Sequence, residues 1–375
     1  MINTKKPTII DLFSGAGGLS LGAYRAGFNV SLAVELDERA LSAHKYNFPT
    51  SKHWNADISN ISGSQLLQQS GIATNQLDGL IGGPPCQGFS MIGKRNILDQ
   101  RNDLFIKFLK LVGQCQPKFF MVENVPGILD KKYDNIRMSG LEFVDKDYSV
   151  IGPMRLKASD FGAPTSRERV FFIGYKSEFV ENIEIKDFEY NKVNKLTTVE
   201  DALFGLPRIR SDWITEEQSW RRVKRMPDTP YGIRISNQVP EGVGNPETIK
   251  LYNEKQIVSG NFGTRHSEDI KLRYSKLRQG EHDKISKSVR LELTGLCPTL
   301  RAGTDSDHGS FQAVRPIHPT MPRVITPREA ARLQGFPDWF KFDHTKWHSF
   351  RLIGNSVSPL LAEVILKEIM CHFRT

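Results

Sequence analysis

Apolar positions in the first 175 residues gather into short runs separated by segments of helical period. That alternation predicts an α/β sheet with parallel strands. "TIIDLF" at 8–13 and "NVSLAVEL" at 29–36 predict the first two strands, and further strands fall at 77–82, 118–124 and 169–175. Helices are expected from Leu19, over 37–46 and over 103–114. From 185 to 320 the period is lost among many Gly, Pro, Asn, Asp and Ser residues, so a separate, smaller, irregular and mostly β domain is expected. Regularity returns at 323, where Thr326, Pro327 and Glu329 supply an N-cap, a first-turn proline and a capping box. A last helix is expected from Pro359 to Phe373. The piece 321–375 is too short to fold alone and should return to the 1–184 sheet domain.

Composition narrows this little. A chain of 375 residues fits one large and one smaller domain. With 39% hydrophobic and 25% charged residues it reads as a soluble globular protein. No apolar stretch reaches membrane-span length, and the N-terminus lacks the apolar core of a signal peptide. The four cysteines, Cys86, Cys115, Cys297 and Cys371, form no CxxC pair, which predicts neither a metal nor a disulfide framework and suits a reducing cytoplasm. A monomer is expected. Charge adds more through its placement than through its sum of +9. "RRVKRM" at 221–226 and "KLRYSKLR" at 271–278 suit a surface that tracks a nucleic-acid backbone, or else a solvated basic face.

Chemistry concentrates at predicted strand ends. "GGPPCQGFS" at 82–90 sets Cys86 behind two prolines, on a restricted turn that suits a held nucleophile; the plain alternative is a small buried hydrophobe. "DLFSGAGGLSLG" at 11–22 follows a strand and opens a helix, with glycines that let a ligand approach the backbone. Glu35 ends the next strand, where an acid commonly binds a ribose hydroxyl. Asp57 follows a third candidate strand and is placed to reach an adenine amine. "FFMVENVPG" ends a strand with Glu123 and Asn124, and "SRERVFFIGY" opens one with Arg167 and Arg169 on one side.

Taken in order, "DLFSGAGG", "PPCQGFS", "ENV", "RER", "RVITPREAARLQGFPD" at 323–338 and "GNSVSP" at 354–359 resemble the DNA (cytosine-5) methyltransferases of bacterial restriction-modification systems. The resemblance spans nearly the whole chain. It implies a Rossmann-like sheet domain that binds S-adenosyl-L-methionine, and a target-recognition domain at 185–320. It implies attack of Cys86 on cytosine carbon 6, Glu123 at ring nitrogen 3, Arg169 at the ring carbonyl and Arg167 orienting the site. Phe13, Ser14, Gly15, Gly17, Gly18, Leu19, Glu35, Leu36, Asp57, Ile58, Pro84, Leu104, Asn355 and Ser356 would form the cofactor pocket. Leu36 replaces a frequent tryptophan, and Thr165 a frequent glutamine. Residues 87–103 resemble the loop that closes over a flipped base, and Thr299 matches a threonine on the DNA backbone, or else is a turn residue. Double-stranded DNA is the expected partner, with a companion restriction endonuclease acting on the same site. A transfer-RNA cytosine methyltransferase shares the motifs, and a non-catalytic DNA-binding regulator could share the fold. The long basic 185–320 segment favours DNA over the first, and intact Cys86, Glu123 and Arg169 stand against the second.

Overall fold

A computed structural model describes residues 6–85, 103–210, 214–236, 239–302 and 314–374. Strands β1 (Thr8–Leu12), β2 (Asn29–Glu35), β3 (Lys52–Asn55), β4 (Gly79–Gly82), β5 (Phe119–Asn124), β6 (Ser149–Lys157) and β7 (Glu168–Tyr175) form one sheet, ordered β3-β2-β1-β4-β5-β7-β6. Within it β7 runs antiparallel to both its neighbours, while β1 to β5 are parallel. Strand β6 escaped the sequence pattern because Gly152 and Pro153 interrupt it and the register shifts between Ile151 and Met154.

Side chains leave each strand on alternate faces and build two cores. Ile9, Ile81, Phe119, Met121 and Ile173 enter one. Ile10, Leu80, Phe120, Val122 and Phe172 enter the other. The flanking helices include α1 (Gly18–Ala26), α2 (Glu38–Asn47), α3 (Gly63–Ser70), α4 (Asp103–Cys115) and α5 (Asp134–Leu141). Parallel pairing brings the carboxyl ends of β1, β2, β4 and β5 to one edge, with Leu12 opposite Val34 and Gly82, and Gly82 opposite Val122.

The 185–320 segment differs from its expectation. Among its described residues α6 (Ile185–Glu189), α7 (Val199–Leu203), α8 (Pro230–Ser236), α9 (Pro246–Lys255) and α10 (Glu268–Ser275) outweigh one pair of two-residue strands, β8 (Arg221–Arg222) and β9 (Ile257–Val258). Polar residues taken as strand-breaking turns are helix caps: Thr198, Asn245 and Ser267 each accept a backbone N–H of the helix that follows.

Helices α11 (Pro327–Gln334), α12 (Lys346–Asn355) and α13 (Pro359–Cys371) complete the fold. The box at Thr326 forms as expected, with Glu329 Oε2 accepting from Thr326 N at 2.7 Å. Helix α11 is buried on every side. Its arginines stay charged because each is paired or hydrogen-bonded. Arg332 grips Asp338 at 2.7 and 2.8 Å, and donates to the carbonyls of Ala202 and Phe204. Arg328 donates to the carbonyls of Ser259, Pro337 and Phe340. Arg323, just ahead of the helix, pairs with Glu329 and reaches the carbonyl of Ile209. Helix α13 lies against α1 so closely that a Cβ on Gly22 would stand 2.5 Å from the Cβ of Ala362. Among the described residues no helix is long and apolar enough to cross a membrane.

Candidate active site

The turn after β1 is held in an uncommon backbone shape. Phe13 has φ 57° and Gly15 φ 54°, both left-handed, and for Phe13 that is a strained choice of the kind found at ligand sites. Glu35, ending the adjacent strand, fastens the turn. Its Oε2 accepts from Gly15 N and its Oε1 from Asp37 N, each at 2.9 Å. Burial pushes this carboxyl above its ordinary range, with the two backbone donors opposing. Each oxygen retains a lone pair for a further donor such as a hydroxyl.

The glycines divide into two kinds. A Cβ on Gly15 would meet nothing nearer than 4.0 Å, so this glycine faces open space. One on Gly17 would lie 2.2 Å from the Phe48 ring, and one on Gly18 would lie 2.3 Å from the Val357 carbonyl oxygen. Those two allow α2 and the 354–358 turn to close on the loop. At Gly17 and Gly18 the missing Cβ therefore also serves packing within the protein.

At the same edge Glu123 ends β5, 7% exposed. Its Oε1 meets Arg169 Nε at 2.5 Å. A Cβ on Gly83 would lie 2.8 Å from its Oε2, so glycine there admits the carboxylate against the Pro-Pro turn. Burial drives the Glu123 carboxyl upward, opposed by Arg169 and Arg167. Asn124 Nδ2 donates to the Pro84 carbonyl at 3.5 Å, while its Oδ1 accepts from Val125 N at 2.9 Å. The "ENV" asparagine therefore ties β5 to the turn that precedes Cys86.

The two arginines serve different ends. Arg169 reaches Glu123. Arg167 is 2% exposed and donates to the Leu300 carbonyl at 3.1 Å and the Asn355 carbonyl at 3.4 Å. It joins "TLR" of 299–301 to "GNS" of 354–356. Gly354 makes that junction close, since a Cβ there would lie 2.7 Å from Ala302 N. Gln334 Nε2 donates to the Ser356 carbonyl at 2.7 Å, so α11 also braces the turn.

The chain matches one family over most of its length: C-5 cytosine-specific DNA methylase, residues 7–371. The chain belongs to that family. It is 39% identical to the type II methyltransferase M.XorII of Xanthomonas oryzae, over 98% of this chain and 86% of that protein. It is 33% identical to M.DdeI of Desulfomicrobium norvegicum, over 97% of this chain and 89% of that one. A solved structure of a prophage-encoded DNA modification methyltransferase of E. coli is 47% identical. Its TM-score is 0.87, with 98% of this chain and 99% of that chain covered. The Dnmt2 methyltransferase of S. pombe, at 18% identity and TM-score 0.63 over 97% and 98% of the chains, shares the fold. The protein is a DNA (cytosine-5)-methyltransferase, and its family uses S-adenosylmethionine as methyl donor.

In this methyltransferase Cys86 and residues 87–102, with the expected closing loop, lie outside the described residues. Pro84 is buried, Leu104 half-buried in the first turn of α4, and Leu36 is 63% exposed. Asp57 is exposed and caps a turn by accepting from Ser59 N at 2.9 Å, beside buried Ile58. Ser14 and Leu19 are buried, and Ser14 Oγ has no hydrogen-bond partner. Asn355 and Thr299 are exposed, while Ser356 Oγ bonds the Leu352 carbonyl. Thr165 is fully buried with Oγ1 unpartnered, so threonine makes no hydrogen bond from that hydroxyl.

Sequence reasoning passed over one buried chain beneath the loop. Ser20 Oγ donates to Asp11 Oδ2 at 2.6 Å. Ser20 has one proton to give, so it accepts from His44 Nε2 at 2.9 Å. Burial holds His44 neutral, so its Nδ1 accepts from His53 Nε2 at 2.9 Å. The cue was an acid inside the apolar run "TIIDLF". Burial raises Asp11 to about 7, with Glu35 adding repulsion and Ser20 opposing.

Proposed function

We propose that the edge formed by the Phe13–Gly18 loop, Glu35, Glu123 and the Pro-Pro turn methylates carbon 5 of cytosine within a specific sequence of double-stranded DNA. The observation that carries this reading is the buried Glu123 carboxyl, raised in pKa, set against the turn that leads into Cys86 and held by Arg169. Carbon 5 of cytosine is a weak nucleophile. The Cys86 thiolate bonds to carbon 6 and makes the ring an enamine, which is the use of a covalent catalyst here. Glu123 holds a proton at ring nitrogen 3 and offsets the charge gathering there. Arg169 positions Glu123 and faces the ring carbonyl, and Arg167 positions the loops on either side. Once carbon 5 carries its methyl and loses its proton to a base, the carbon–sulfur bond breaks and Cys86 is restored. The target base leaves the duplex to reach this edge.

The residues present suit S-adenosylmethionine. The spare lone pairs of Glu35 fit ribose hydroxyls, open Gly15 and unpartnered Ser14 lie in the loop, and exposed Asn355 belongs to the turn whose Ser356 and Val357 pack on Gly18. Phe13, Gly17, Gly18, Leu19, Leu36, Asp57, Ile58, Pro84, Leu104 and Ser356 complete the pocket. When bound, this donor supplies an electrophilic methyl group on a sulfonium.

The domain division is part of the same reading: 1–184 performs the chemistry, 185–320 selects the sequence, and 321–375 returns to the first part. The related type II methyltransferases support the role of modification enzyme in a restriction-modification system, beside an endonuclease of the same specificity. The test is a duplex carrying 5-fluorocytosine at the target, where fluorine blocks elimination. Wild type forms a stable covalent adduct and Cys86→Ala forms none and does not methylate. Methylation by Cys86→Ala at a tenth or more of the wild-type rate would overturn the mechanism.

A further inference from the structure

Two side chains form a floor beneath the loop that follows β1. A Cβ on Gly17 would lie 2.2 Å from the Phe48 ring and 3.1 Å from His44 Cδ2. The two rings pack together, with centroids 4.3 Å apart. Gly17 is the N-cap of α1, at φ 99°, and gives that helix no side-chain cap. A polar cap residue ordinarily fixes where a helix starts. Here His44 supplies a substitute from below. Its Nε2 donates to Ser20 Oγ, in the first turn of α1, at 2.9 Å, and Ser20 donates in turn to Asp11 Oδ2 at 2.6 Å. Asp11 sits on β1 two residues before Phe13, in register with Ala33 and Ile81. The chain of bonds therefore joins the strand before the loop to the helix after it. Between them lie the left-handed residues Phe13, Gly15 and Gly17. A left-handed phenylalanine persists only where its surroundings over-determine it.

The far end of the chain is anchored. His44 Nδ1 accepts from His53 Nε2 on β3 at 2.9 Å. Three residues further along α2, Asn47 bonds Lys341 twice, Nδ2 donating to its carbonyl at 2.6 Å and Oδ1 accepting from its N at 3.0 Å. Asp11, Ser20 and His44 are fully buried, so water does not compete for their bonds. Burial also keeps His44 neutral, which leaves its ring one donor and one acceptor, the pair that the chain uses. We infer that His44 is a positioning residue for S-adenosylmethionine: through Ser20 and Asp11, and by contact with Gly17, it holds the Phe13–Gly18 loop in the shape that receives the cofactor. Being buried, it acts on the loop rather than on the ligand. The inference rests on the reading that this loop binds the cofactor.

Calorimetric titration of the full chain with S-adenosylmethionine, without DNA, tests it. His44→Phe keeps a ring against Phe48 and Gly17 and removes both hydrogen bonds. His44→Gln restores an amide N–H to donate to Ser20. His44→Phe should bind the cofactor about tenfold more weakly, the scale of one buried hydrogen bond left unmade. His44→Gln should recover most of that loss. In methylation assays the same loss should lie in KM for S-adenosylmethionine, with KM for DNA unchanged. A merely structural histidine would lower the melting temperature or the fraction of active protein and leave KM for the cofactor at its wild-type value. Ser20→Ala cuts the chain from its other side and carries the same expectation where His44→Phe does not fold. Combined, the two substitutions should cost no more than the larger alone, because they break one chain. Wild-type affinity in folded His44→Phe or Ser20→Ala, or additive losses in the double variant, would overturn the positioning role. Glu35→Ala is the control for the parent reading. Wild-type affinity in Glu35→Ala would show that the loop is not the cofactor site, and that reading would fall instead.

Discussion

At the scale of single residues, a carboxyl's task follows from what burial does to its charge. Asp57 is exposed and caps a turn. Glu123, buried, and Glu35, half-buried, sit at strand ends with donors beside them, raised but partnered. Asp11 is fully buried, with Oδ2 bonded to Ser20 and Oδ1 unpartnered. Its carboxyl is raised from 3.8 to about 7. Between those values the folded chain holds a proton that the unfolded chain has released, so stability falls as pH rises through that window. At one pKa unit per 1.36 kcal/mol this is up to about 4 kcal/mol. Asp11→Asn should remove that contribution. Denaturant melts at pH 4 to 8 should show wild type losing stability across the window relative to Asp11→Asn. Parallel pH curves for the two proteins would show that Asp11 does not titrate there.

At the scale of elements, the glycine loop is shaped as much by its protein neighbours as by a ligand. Gly18 opens α1 directly beneath the Val357 carbonyl, and Gly15 faces open space with left-handed φ. Gly18→Ala pushes a methyl to 2.3 Å from that carbonyl and must displace the turn holding Asn355 and Ser356. It should cost about 1–3 kcal/mol of stability, as overpacked sites do. Gly15→Ala meets no clash and should cost only about 1 kcal/mol for the left-handed backbone. Its larger effect should be on KM for S-adenosylmethionine. Melting temperature and KM for both variants check the split, and equal melting losses would show that the two glycines are not distinct.

For the whole molecule, α11 explains how a segment of free sequence can be mounted on a fixed scaffold. Arg323, Arg328 and Arg332 hold 185–320 through the carbonyls of Ile209, Ser259, Ala202 and Phe204. Every residue type supplies a backbone carbonyl, so the grip does not depend on side chains of the segment. Exchanging 185–320 for that of a relative with another target should therefore fold. Bisulfite sequencing should show the methylated sequence moving with the segment and carbon 5 of cytosine still the acceptor. An active chimera that methylates the original sequence would place specificity outside 185–320.

Elements whose signals are local could be read directly from the order of residues. Apolar runs marked β1, β2, β5 and β7 within a residue or two, and Thr326, Pro327 and Glu329 marked the start of α11. Short polar β3 and interrupted β6 carried weaker periodic signals, as did the helices of 185–320, where caps resembled turns. The residues at strand ends could be named from motifs because a parallel sheet brings those ends to one edge. What each side chain does there was decided by partners distant in sequence. Arg167 spends its guanidinium on Leu300 and Asn355, Gly18 yields to Val357, and Arg315 lies over the Phe350 ring. Pairing and burial depend on contacts between segments far apart in the chain, and those come into being only when the sheet is assembled and α11 to α13 close over it.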